Sequence, residues 1–181
     1  MPLAFAALIY AFVVSDFSVS NVAMNSHTDK PMLYKVAAAW GSHEGSLLLW
    51  CLVLTVFGGA LARARGLPFG LKTSAVAVQA ALSSLFLAFA AFTSNPFFRL
   101  DPAPVQGASL NPLLQDPALA VHPPLLYGGY VGFSVCFSLA VAALIEKRVD
   151  PAWGRWVRPW ALASWALLTV GIALGSFWAY Y

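Results

Sequence analysis

The sequence predicts an all-α fold: a polytopic integral membrane bundle of about five transmembrane helices, the first short or truncated. Two observations carry that prediction. Hydrophobic residues make up 60% of the chain and charged residues only 9%, against the ~25% charged residues of an ordinary soluble domain. The mean hydropathy of +0.75 describes a chain dissolved in lipid more than one folded around an aqueous-facing core. The apolar residues are also gathered into runs near the ~20 residues that a helix needs to cross ~30 Å of hydrocarbon. They run continuously, without the strict alternation of barrel strands, which favours helices.

Taken in order, the first run, Pro2 to Val14, lacks the basic start of a signal peptide. It reaches about 20 Å at ~1.5 Å per residue, so the expectation is a helix that has lost its beginning or one extended over residues 2–19. Four further spans are predicted over residues 44–62, 73–93, 125–145 and 160–180, with longer external loops over 20–43 and 94–124. Residues 1–181 then form a single transmembrane domain, part of a larger membrane protein. Glycines 128, 129 and 132, and glycines 171 and 175, mark faces where helices approach closely. Trp40, Trp160, Trp178, Tyr180 and Tyr181 fall near helix ends, as an interfacial belt requires.

Charge orients the bundle and excludes several functions. Arg63, Arg65 and Lys72 flank one short connection, and Lys147, Arg148, Arg155 and Arg158 occupy another; only Lys30, Lys35 and Arg99 lie in the longer loops. The short basic loops therefore face the cytoplasm and the long loops the outer side. No Lys/Arg block is interleaved with aromatics, so nucleic acid is not a partner. All seven acids sit in loops or at helix ends, and Gln79 is the one strongly polar residue well inside a span. A self-contained proton or cation pathway would need ionisable groups there. No histidine lies in mid-membrane to hold a b-type haem between facing helices. Cys51 and Cys136 lie within apolar runs and read as small buried hydrophobes.

The polar chemistry gathers at the outer surface, where all three histidines fall. In "VHPPLLYGGY" His122 precedes Pro123 and Pro124. Proline disfavours helical geometry in the residue before it, which predicts an extended His122 with Pro123 or Pro124 as the first helical position. The helix dipole would then favour a neutral imidazole whose free nitrogen suits a metal. The plainer alternative is a loop cap bonded to a carbonyl or a lipid headgroup. In "AAWGSHEGSLLLW" a continuous helix would place Trp40, His43, Glu44 and Leu47 on one face. The His43–Glu44 neighbours could orient a ligand imidazole or simply pack at the interface. His27 reads as solvated.

At these residues the chain resembles a known family. "WGSHEGSLLLW", "NPLLQDPALAVHPPLLYGGYVGFS" and "RPWALASWALLTVGIALGSFWAYY" are similar to the cytochrome c maturation protein CcmF family, haem-handling subunits of the cytochrome c haem lyase. The resemblance implies a role in covalent attachment of haem to apocytochrome c on the outer (periplasmic) face of a bacterial inner membrane, or of a mitochondrial inner membrane. It implies a delivered haem b, with His122 as axial ligand to its iron. Trp40, His43, Glu44, Pro123, Pro124, Tyr127 and Trp178 are then the haem's surroundings or support. The implied partners are the haem chaperone CcmE, apocytochrome c, other maturation subunits including thioreductase-like ones, membrane lipid and a downstream half of the same protein. In the family a tryptophan-rich haem motif follows "GSFWAYY", and a second external histidine and the intramembrane histidines for a separate b-type haem lie beyond it. The chain is therefore expected to be a fragment or one part of a split protein, inactive as a lyase alone. A structural or interaction subunit with incidental histidines is the alternative.

Overall fold

The computed structural model describes residues 1–108 and 115–180. They form seven helices: α1 (Pro2–Val13), α2 (Ser20–Asn25), α3 (Met32–Gly41), α4 (His43–Arg63), α5 (Phe69–Thr93), α6 (Pro117–Ile145) and α7 (Pro151–Tyr180). Among the described residues there is no β-strand, only one isolated antiparallel bridge between Val19 and Arg99. Helices α4 and α5, residues Ala120–Ile145 of α6, and α7 are long and apolar enough to cross a membrane, and α1 is a shorter apolar helix. The all-α membrane bundle anticipated from composition is the fold observed. Tyr181 and residues 109–114 of the second external loop lie outside the described residues.

Helix α1 stops at Val13 and does not continue to Val19. Ser15 takes a left-handed backbone, φ 56°, and the Asp16 N–H turns back to the Ala11 carbonyl at 2.9 Å. That is the hydrogen bond of a Schellman-type stop, and at 12 residues the helix is about 18 Å long. The two long external loops are not separate excursions. Ser20 N–H donates to the Phe98 carbonyl and Leu100 N–H to the Ser18 carbonyl, both at 2.8 Å. Arg99 reaches the Ser18 hydroxyl, and Gln106 pairs with Thr28 through side chain and backbone. Beneath this layer Phe5, Leu8 and Phe12 of α1 pack with Val19, Val22, Ala38, Ala39, Leu48 and Leu49. A hydrogen-bonded cap thus covers the end where α4 and α6 begin and α5 and α7 finish.

The long helices are joined by small residues and by one amide. A methyl group on Gly171 would meet the Leu126 backbone at 2.6 Å, and one on Gly129 would overlap the backbone of Leu168. Between α6 and α7 the main chains therefore touch, which only glycine permits. In mid-bundle Gln79, 1% exposed, donates to the Ser134 hydroxyl (2.9 Å) and the Leu54 carbonyl (3.3 Å) and accepts from Ser138 (2.8 Å). One side chain of α5 so ties α4 and α6. At the opposite end Leu61, Leu71, Val135 and Leu139 form a second core against Trp153, Trp156 and Trp160. There the Trp153 indole donates to the Leu139 carbonyl.

The cap holds an electrostatic oddity. Lys30 and Lys35 are both buried, their ammonium groups bonded to the Asn25 carbonyl (2.7 Å) and the Ser15 hydroxyl (2.9 Å). Burial, and after it the neighbouring Lys35 charge, pulls the Lys30 pKa from its usual 10.5 down to about 8.

Two outcomes follow for stability. Gln79→Leu should lower the unfolding free energy by about 1–2 kcal/mol, since side-chain hydrogen bonds between membrane helices average ~0.6 kcal/mol each. An unchanged SDS-unfolding curve would show that the amide ties nothing. For Lys30 the folded pKa lies below the unfolded one, so the burial penalty is complete below pH 8 and fades as pH rises towards 10.5. Lys30→Met should melt higher than the parent at pH 7 and lose that margin by pH 10. A margin independent of pH would contradict a charge strained by burial.

Candidate functional site

The site is built on the first two turns of α6. Asp116 caps that helix: its carboxylate accepts from the Ala118 N–H at 2.7 Å, and its carbonyl accepts from Ala120 N–H at 3.0 Å. Pro117 takes the first helical position, where a missing N–H costs nothing. Helix α6 therefore begins before His122, and Pro123 and Pro124 lie inside it. The expectation of an extended His122 at a helix N-terminus is corrected here. The signal that displaced it was legible as "QDP": a capping aspartate followed by proline. The dipole argument for His122 goes with it, because that field falls off within the first turn.

Two interior prolines have a price in backbone hydrogen bonds. Neither can donate to the carbonyl four residues earlier, so Pro124 leaves the Ala120 carbonyl without its helical partner. Trp40, on α3, supplies one: its indole Nε1 donates to the Ala120 oxygen at 3.1 Å. The Trp40 ring is itself stacked on Phe5 of α1, centroids 6.4 Å apart and planes 22° apart.

Across the seam, α7 seats the imidazole. The His122 and Trp178 rings lie nearly parallel, at 15° with centroids 6.3 Å apart. A methyl on Gly175 would stand 3.0 Å from His122 Nδ1, so the glycine makes room for the ring. Nδ1 is buried and makes no hydrogen bond of good geometry, with the Gly171 backbone at most a weak partner. Nδ1 thus faces the α7 seam, over Gly175. Sequence patterning marked Gly171 and Gly175 only as packing positions; the contact with His122 needed the fold.

The other singled-out residues divide between this place and elsewhere. Trp40, Pro123, Pro124 and Trp178 surround the His122 turn. His43 and Glu44 do not share a helix with Trp40. Ser42 (ψ 161°) breaks the run and caps α4 by accepting from Gly45 N–H at 3.1 Å. The single face through Trp40, His43, Glu44 and Leu47 is thereby overturned. His43 is exposed and pairs with the Ser94 hydroxyl at 3.2 Å, not with Glu44. Glu44 lines a polar cleft of about 480 Å³ with Asn21, Asn25 and Ser94. Tyr127 turns towards α4, edge-on to Trp50 at 5.7 Å, where Phe86 and Tyr130 complete an aromatic cluster that sequence reading did not single out. His27 sits beside Asp29 at 3.5 Å in the cap. Among the described residues no three His, Cys, Asp or Glu side chains group as a metal cage.

Comparison with known proteins places this architecture. The family described as Cytochrome C assembly protein matches residues 40–181. The chain is 64% identical over 180 residues to the cytochrome c-type biogenesis protein ccl1 of Rhodobacter capsulatus, a match covering 99% of this chain and 28% of that protein. It is 53% identical to the cytochrome c-type biogenesis protein CcmF of Escherichia coli, covering 98% of this chain and again 28% of the relative. A solved structure titled Cytochrome c Heme Lyase CcmF superposes with a TM-score of 0.80 at 31% identity, over 98% of this chain and 28% of that one. The chain thus spans little more than a quarter of these relatives. With the match running through the α3–α4 break, the capped prolines of α6 and the glycine seam, this chain belongs to the cytochrome c assembly protein family.

Proposed function

We propose that this chain forms the outer-face haem-binding part of a cytochrome c maturation protein, with His122 ligating the iron of a delivered haem b through Nε2. The observation that carries the reading is the one-sided imidazole: Nδ1 closed off by Gly175 and the ring plane held by Trp178. A single oriented imidazole, with no cluster of three His, Cys, Asp or Glu side chains among the described residues, suits an iron whose equatorial positions a macrocycle already fills. When bound, the haem supplies the group that becomes attached to the cysteines of an apocytochrome C-x-x-C-H segment. The residues of this chain bind and orient. His122 offers the axial nitrogen, Trp178 and Gly175 fix its ring, and Trp40 with the α6 prolines shapes the turn that carries it. The haem chaperone CcmE, apocytochrome c and the remaining maturation subunits are the proposed partners, and the rest of a longer polypeptide would provide what one ligand cannot. Lyase activity belongs to that assembly.

In membranes carrying the assembly machinery, His122→Ala should reduce haem co-purifying with the protein by at least the roughly tenfold that loss of even an outer-shell partner costs. Protein level should not change. Unaltered haem content and absorbance spectrum would overturn the ligand assignment.

The orientation proposed with this function puts the cap on the periplasmic side and the two basic connections in the cytoplasm. Val105→Cys and Val149→Cys, both at exposed positions, in a background lacking Cys51 and Cys136, should label from opposite sides. An impermeant reagent outside that modifies position 149 and spares 105 would invert the topology.

A further inference from the structure

We propose that Trp40 is a positioning residue for His122, acting through the Ala120 carbonyl that Pro124 leaves free. The inference rests on the reading of His122 as the working imidazole and adds the element that sets its place.

In an α-helix the N–H of residue 124 would close on the oxygen of residue 120, and proline has no N–H to give. Ala120 is 4% exposed, so water is a poor substitute at that position. An indole nitrogen is a donor only, and Trp40 Nε1 stands 3.1 Å from the Ala120 oxygen. The donor is not on a loose arm. Trp40 rests on the cap core, stacked against Phe5, and its neighbours Ala37, Ala38 and Ala39 are buried. The cap therefore grips α6 two residues before His122, while Gly175 and Trp178 of α7 seat the ring from across the seam. A helix weakened by consecutive prolines would otherwise have freedom to shift at this turn.

The competing explanation is that Trp40 merely fills space. The two readings separate in Pro124→Ala, which restores the helical N–H to the Ala120 oxygen and makes the indole donor redundant. The measurement is deuterium exchange at the imidazole C2 position, read by mass spectrometry on the haem-free purified protein, with His27 and His43 as internal controls. Trp40→Phe keeps a ring and removes the donor. It should speed exchange at His122 by about fivefold, the equilibrium factor of one ordinary neutral hydrogen bond, and leave the other two histidines unchanged. In the Pro124→Ala background the same substitution should change nothing at His122. Should Trp40→Phe fail to fold, benzothienylalanine at position 40 keeps the bicyclic shape without the donor, and the same coupling is read. An unaltered His122 in Trp40→Phe overturns the proposal. So does an equal effect in both backgrounds, or acceleration at all three histidines alike. Because no haem is present, these outcomes are independent of the spectrum of His122→Ala, and failure of either assignment can be told from failure of the other.

Discussion

Inside a bilayer a backbone carbonyl cannot turn to water, so every break in a helical hydrogen-bond ladder must be answered by another part of the protein. This constraint organises the capped half of the molecule. Consecutive prolines in α6 open the ladder at the turn bearing His122. The answer comes from α3, a helix that sequence patterning merged partly into a loop and partly into the next span. For the indole of Trp40 to reach Ala120, α3 must lie across the bundle and not continue into α4. Ser42 provides the break and at once caps the new helix. At Gly45 even a methyl group would overlap the Ala39 carbonyl, so the two helices turn against each other at the closest possible distance.

The same absence of water removes the hydrophobic push that gathers helices in soluble proteins, since lipid tails are as apolar as leucine. What remains is close packing and a few polar contacts. Gly129 and Gly171 let the α6 and α7 main chains meet, and Gln79 collects a carbonyl and two hydroxyls from α4 and α6. Both devices determine where the His122 ring can go, and the Gly171 backbone lies beside it. The seam that begins with Gly129 against Leu168 continues through Gly171 against Leu126 and ends at Gly175 beneath the imidazole. A helix that packs this tightly has few positions available to it.

Much of this architecture was legible in the sequence, for a physical reason: span length and composition respond to the bilayer alone. The four long helices and the glycines that pack follow from local patterns. The errors arose where local signals competed. "VHPP" was read as a helix start because proline disfavours helix in the residue before it. The stronger signal lay upstream in Asp116–Pro117, whose cap nucleates the helix through that preference. "AAWGSHEG" carried an apolar period that ran through a serine cap, and the period prevailed over the cap. Ser15 ended α1 with a left-handed residue that is not glycine, a stop with no sequence mark. The His122 seat was out of reach for another reason: it joins residues some fifty positions apart, and only the register of the seam brings Gly175 beneath residue 122.

The asymmetry of that seat carries the functional argument furthest. An imidazole in open solvent offers two nitrogens and two faces, and spends rotational freedom when it binds. Here one nitrogen is closed against α7, one plane is fixed by Trp178, and the backbone is held from the cap side by Trp40. The orientation of the ring is set before anything arrives. For a protein whose task in the proposed function is to receive a haem and release it again, such preorganisation matters more than a large number of contacts. It lowers the ordering cost of binding without adding an interaction that must later be broken. An axial ligand on a preorganised mount therefore suits a haem that must be both received and released.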